Sequence, residues 1–177
     1  KWPEVEATLQ KLAALKPQDE KPHIHLGDFF TWLGQRDKAL ASYQRATEIN
    51  SGSIVARDKL ISYYLDSGKL EEAEARTKAI LEKNGKDLSG RFFDARIRLA
   101  KGNADEAISL LQGVVKDEPQ LAVAHYFLGV AFMHKRQTVQ ARGAFTESVK
   151  LNPNLPEPRT ALAAIHLDEG SLDLAIE

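Results

Sequence analysis

The sequence predicts an all-α protein, a right-handed superhelix (α-solenoid) of antiparallel helix pairs that repeat every 34 residues. Three observations lead there. A glycine followed five positions on by an alanine recurs, in phase, as Gly34/Ala39, Gly68/Ala73, Gly102/Ala107 and Gly170/Ala175. Arg136/Ala141 fills the vacant place in this series and lacks only the glycine. Around each pair the chain reads as helix, short turn, helix, and strand-like alternation is rare, its clearest case being Phe93 to Leu99.

The stretch HIHLGDFFTWLGQRDKALASYQRATEI is the cleanest unit. Leu26, Gly27 and Phe30 share one face of a first helix. Gly34 then ends that helix, because glycine accepts the left-handed backbone common after a helix. Ala39, Tyr43 and Ala46 form the i, i+4, i+7 stripe of a second helix. The small residues Gly27 and Ala39 are expected at the closest approach of the two helices, with Leu26, Phe30 and Tyr43 filling the wider flanks. A bulky residue at either small position would overpack the pair at a cost of ~1–3 kcal/mol.

Composition narrows the function. An apolar content of 43% suits a packed core. A net charge of -1 with no long block of one sign argues against a general nucleic-acid or anionic-membrane surface. The absence of cysteine removes disulfides, thiolate metal sites and a cysteine nucleophile. The weakly polar run LAVAHYFLGVAFM contains His125 and is too short to span a bilayer, so no direct membrane insertion is expected. The opening KWPEVEA has no signal-peptide pattern, which assigns any targeting segment to a longer parent.

No catalytic signature is present: the chain has no GxSxG, HExxH or Walker-type glycine loop, and no enzyme activity or cofactor is expected. The histidines are assigned to packing and not to a metal, since His23 and His25 are two apart and diverge on a helix. The acid pairs Glu71/Glu72 and Asp105/Glu106 open second helices, where they complement the helix dipole by ~0.3–1 kcal/mol each.

The period and these residues resemble the tetratricopeptide repeat (TPR), whose pattern is a large residue, Leu-Gly, an aromatic, Ala, an aromatic, Ala and then Pro. With position one at Glu20, full repeats span 20–53, 54–87, 88–121 and 122–155. Residues 1–19 are the second helix of a truncated repeat, with Val5, Leu9, Leu12 and Pro17 in phase, and 156–177 form another truncated repeat. The fourth copy fits best, through His125, Leu128, Gly129, Phe132, Ala141, Phe145, Ser148 and Pro153. The whole of 1–177 therefore reads as one TPR array, an excerpt of a longer protein whose cut ends expose apolar faces and stack end to end.

The resemblance implies a non-catalytic scaffold that binds a protein or peptide in a concave groove lined by first helices. Carried over to this chain, groove positions include Phe92, Phe93, Arg96, Tyr126, Phe127, Val130 and Met133, an apolar and aromatic centre in repeats three and four. Aromatic residues and arginine are enriched at interface hot spots, and methionine adapts its shape. The ligand expected is an extended or helical peptide with an apolar anchor and an acidic group. One TPR subfamily grips chaperone C-terminal carboxylates with Lys at position 5 and Asn at position 9; this chain has neither, so that ligand is rejected. The alternative function is a substrate-positioning segment of a larger enzyme such as a glycosyltransferase. Recognition of nucleic acid is not expected, because Asp28, Asp58, Asp66, Glu157 and Asp168 interrupt any basic stripe. The segments RIRLAKGNADEAISLLQGVVKDEP and AHYFLGVAF also resemble TPR arrays of bacterial exopolysaccharide-export and envelope lipoproteins. That implies a bacterial periplasm or cell-envelope setting, with the cytoplasm as the alternative.

The strand-like stretch FFDARIRLAKG falls on the first helix of repeat three. There Arg91, Asp94 and Arg98 occupy positions that are usually large and buried. At 100° per residue they cluster and are expected to pair with one another along the helix at ~0.2–0.5 kcal/mol per pair. Three charges aimed at the second helix would be costly, so this helix is expected to be rotated, or shifted by about one residue.

Overall fold

A left-handed residue closes every helix pair. A computed structural model describes residues 2–170, and φ is +70° at Gly34, +72° at Gly68, +83° at Gly102 and +74° at Gly170. The fourth turn has Arg136 at φ +57° in the same place. The four turns from Gly34 to Arg136 share one further bond: the amide of the next residue donates back to the first helix, as in Gln35 to Phe30 O and Asn103 to Arg98 O (2.8 Å each) and Gln137 to Phe132 O (2.9 Å). This six-to-one bond is the Schellman closure, which occupies carbonyls left open at a helix end. The backbone conformation is thus dictated at position 136 even without glycine.

Ten helices occur among the described residues, and none is a strand. The first compact unit, Lys1–Ala73, holds α1 (Trp2–Leu15), α2 (Lys21–Trp32), α3 (Arg36–Ile49) and α4 (Ile54–Asp66). The second, Glu74–Glu177, holds α6 (Leu88–Ala100), α7 (Ala104–Asp117), α8 (Ala122–His134), α9 (Thr138–Leu151) and α10 (Pro156–Asp168). The boundary between the units falls inside α5 (Leu70–Lys83). Within the units α2 packs on α3, α6 on α7 and α8 on α9, so the fold is an all-α repeat solenoid of helix pairs. Ala175 and the second helix expected in the fifth repeat lie outside the described residues.

The small residues work differently from the expectation. A Cβ on Gly27 would lie 2.4 Å from the Tyr43 ring, and one on Gly129 would lie 2.5 Å from the Phe145 ring. Each glycine therefore makes room for an aromatic ring of the second helix. Ala39, Ala107 and Ala141 are fully buried, as are Leu111 and Val114 on α7.

Repeat three corrects the second expectation. Helix α6 begins at position one of its repeat, as α8 and α10 do, so there is no shift. Its buried Gly90, Ala95 and Ile97 occupy the same repeat positions as the buried Ala124, Gly129 and Ala131 of α8, whereas its buried Phe92, Phe93 and Leu99 correspond to the half-buried Tyr126 and Phe127 and the exposed Met133. The charges find partners. Arg91 donates to Asp117 at 2.5 Å, and Arg98 pairs with Asp94 and with Glu106, both at 3.1 Å. Asp117 and Glu106 belong to α7, and only the Arg98–Asp94 pair runs along the helix. The side chains of Arg91, Asp94 and Arg98 remain 22%, 23% and 37% exposed, although Arg91 Nε is itself buried without a hydrogen-bond partner among the described residues. The acids that open α7 also have specific partners, since Asp105 meets Lys135 at 2.8 Å.

Candidate functional site

Helices α6 and α8 carry all seven residues of the aromatic centre. Residues four apart share a helix face, which sets Phe92 beside Arg96 and Tyr126 beside Val130. A ring contact joins the two helices, Phe92 meeting Phe127 edge-on with centroids 5.6 Å apart, and within α8 Tyr126 meets Phe127 at 5.0 Å. The Arg96 guanidinium stands 4.5 Å above the Phe127 centroid, and 5.8 Å and 6.0 Å from those of Phe92 and Phe93. A guanidinium over a ring face is held by the ring quadrupole, worth ~0.5–1 kcal/mol when exposed.

The seven are not equally accessible. Phe92 and Phe93 are buried, at 7% and 3% exposure. Arg96, Tyr126, Phe127 and Val130 are half-buried, and Met133 is exposed. Tyr126 also lies 5.9 Å from the Phe145 ring, and with Val130 it packs on the cluster of Ala141, Phe145 and Ile165. Burial, together with Glu157 nearby, raises the Tyr126 hydroxyl above the ordinary phenol value, so it stays a neutral donor at physiological pH. Arg96, Tyr126, Phe127, Val130 and Met133 are thus the partly accessible members of the group, above two buried phenylalanines.

A second cleft, in the first unit, escaped the sequence reading. It encloses about 690 Å³ between α2, α4 and the turn at Gly34. Asp28 sits at its centre, accepting from the Tyr43 hydroxyl and from Lys59 Nζ, each at 2.7 Å. Trp32, Tyr63 and Asp66 form parts of its wall. Tyr63 is itself anchored, donating to the Arg36 carbonyl at 2.6 Å. Burial pushes the Tyr43 hydroxyl far above its ordinary value, with Asp28 adding to the effect, so the phenol is a permanent donor. The available signal was a pair of opposite charges, Asp28 and Lys59, both at groove positions of successive first helices.

Among the described residues no three His, Cys, Asp or Glu side chains are grouped to hold a metal ion, and no helix is long and apolar enough to cross a membrane. His125 contacts the Pro119 carbonyl through Nε2 at 2.9 Å.

Tetratricopeptide-repeat sequence profiles match residues 21–52, 59–122 and 98–165. No curated protein matches the sequence. Among solved structures, the thermophilic TPR protein TTC0263 of Thermus thermophilus is similar at 25% identity, with 88% of this chain and 86% of that one covered and a TM-score of 0.75. A tetratricopeptide repeat protein of Parabacteroides merdae ATCC 43184 is 17% identical, covering 99% of this chain and 68% of its own, with a TM-score of 0.81. The APC/C hetero-tetramer Cut9–Hcn1 is 20% identical over 99% of this chain and 35% of that one, with a TM-score of 0.76. The two more distant likenesses speak to the fold alone. With the period, the left-handed turns and the three profile matches in agreement, the chain is a member of the tetratricopeptide-repeat family, whose fold serves as a protein–protein interaction scaffold.

Proposed function

We propose that the chain binds a protein partner through the face of α6 and α8, where Arg96 is stacked over Phe127. The stack is the observation that carries this reading. It holds the guanidinium plane against a ring, and arginine stacked on an aromatic face is a residue type enriched at interface anchors. Tyr126, Val130 and Met133 line the apolar part, so the segment that fits is extended or helical, with an apolar anchor followed by an acidic group. Nucleic acid does not suit this face, because Arg96 is the single cation among its seven residues.

The test uses the full-length parent and a partner obtained by affinity capture from the source cell. Arg96→Ala weakens that partner by about tenfold or more if the stack is a hot spot, while helicity is retained. Unchanged affinity in Arg96→Ala and in Met133→Ala defeats the reading. Phe92→Ala is a poor probe of binding, since Phe92 is a buried side chain.

The open face of α1 supports a further reading, self-association. Val5 and Leu12 are 39% and 36% exposed, whereas Ala39 and Ala46 at the equivalent positions of α3 are fully buried. A second copy of the chain would cover this face. Light scattering that finds only monomer across a wide concentration range rules this out.

A further inference from the structure

The cleft between α2 and α4 has an unusual set of unused valences. Lys59 Nζ and the Tyr43 hydroxyl both bind Asp28 Oδ1, at 2.7 Å each, which leaves Oδ2 of the same carboxylate without a hydrogen bond. The Lys59 ammonium has three protons and uses one of them. The side chains of Lys59 and Asp28 are 44% and 40% exposed, so the pair is open to a ligand. Side by side, then, stand one free acceptor and two free donor positions. The titratable side chains of the lining balance in formal charge, Asp28 and Asp66 against Lys59 and Arg36. Neither a strong cation nor a strong anion is favoured by the net field.

This arrangement discriminates among ligand groups. A carboxylate satisfies Lys59 but sets its second oxygen against Asp28 Oδ2. An ammonium or guanidinium satisfies Asp28 but faces Lys59. A main-chain amide carries its C=O and N–H on opposite sides of a trans peptide bond, so one peptide unit does not reach both members of the dyad. A primary carboxamide presents C=O and NH₂ on the same side and is neutral. Its oxygen accepts from Lys59 while its nitrogen donates to Asp28 Oδ2. Beside the dyad, the Tyr63 ring and the part of the Trp32 indole not covered by Trp2, whose ring centroid lies 4.4 Å from it, offer apolar wall for a methylene stem.

We propose that this cleft recognises the primary carboxamide of an asparagine or glutamine side chain presented by a protein partner. The inference rests on the scaffold reading, to which it adds a second, chemically distinct contact. Lys59 and Asp28 are the specificity-determining residues. Tyr43 positions the carboxylate by donating its hydroxyl proton to Oδ1.

The probe is a set of short blocked alanine peptides that differ only in a central Gln, Asn, Glu or Lys. Binding to the ¹⁵N-labelled full chain is followed through the indole N–H of Trp32, one of two tryptophans and assigned with a Trp2→Phe variant. The Gln or Asn peptide should shift this signal, and the amides around Lys59, at about fivefold lower concentration than the Glu and Lys peptides. Lys59→Met should erase that preference without loss of helicity, and Asp28→Asn should erase it independently. Equal or tighter binding of the Glu or Lys peptide overturns the proposal, and so does the absence of any shift in the cleft. These peptides carry no anchor for the α6 and α8 face, so either failure leaves the Arg96→Ala experiment standing on its own.

Discussion

In α8 and α9 the ring of Phe145 lies over Gly129, close enough that a Cβ there would sit 2.5 Å from it. In α6 and α7 the equivalent residues are Ala95 and Leu111, and charges occupy positions that are apolar in α8: Asp94 replaces the position of Leu128, and Arg98 that of Phe132. Both pairs begin at the same repeat position and turn through the same bond from the residue after the left-handed one. One pair is closed by a ring against a glycine, the other by aliphatic contacts and ion pairs reaching from α6 to α7. The lesson is that backbone phase is set by the small buried positions, while the side chains around them are free to exchange apolar packing for half-exposed charge.

The comparison breaks most sharply at Phe145, which is 1% exposed. Phe145→Ala should cost ~3–5 kcal/mol in denaturant unfolding, because a large cavity opens beside Gly129. Next comes the glycine itself. Gly129→Ala forces the ring aside and should cost ~1–3 kcal/mol. Gly143→Ala, on the open face of the neighbouring α9 with nothing within 4 Å of its added Cβ, should gain ~0.5–1 kcal/mol. If both glycines respond alike, the ring contact is not what selects Gly129.

Arg136→Gly is expected to stabilise the turn between α8 and α9 by ~1 kcal/mol, since an L residue in the left-handed region is strained by ~1–2 kcal/mol. A lower midpoint in chemical denaturation would show that the arginine side chain compensates. The ion pairs of repeat three should matter least. Arg98→Met removes two contacts from a side chain 37% exposed, and partly exposed pairs contribute ~0–1 kcal/mol before screening by salt. A loss above ~2 kcal/mol would mean that the pairs contribute well beyond what partly exposed ion pairs supply.

A pH effect accompanies these in the first unit. Burial, with Arg45 nearby, holds His23 below its ordinary value. Its contribution to stability is therefore complete above the unfolded value near 6.5 and is lost as pH falls through the folded one. Melting curves between neutral and mildly acid pH should show a smaller acid loss in His23→Gln, and an unchanged slope would remove His23 from the account.

The repeat was legible because its signals are local. A left-handed turn needs a residue that tolerates positive φ, and four of five turns supply glycine; Arg136 was found only because it stood in phase. Tyr43 opposite Gly27 was less legible, since two helices must be docked before the ring is seen to occupy the missing Cβ. The same applies to α6. The charges at 91, 94 and 98 suggested a turned helix, because a single helix gives no indication that Asp117 and Glu106 wait on α7. The aromatic centre was readable as residue types at groove positions, yet not as a layered object in which Phe92 and Phe93 form the floor and Arg96 lies on Phe127.

By itself, then, the sequence determined the helix pairs, their 34-residue phase and the family, because helix periodicity and turn conformation depend on near neighbours along the chain. Tertiary structure alone decided which charges are paired, which aromatic rings are buried and where Asp28 meets Lys59, 31 residues away. Those outcomes depend on distances between helices, where a few ångströms separate a solvated charge from an ion pair and an exposed ring from a core residue.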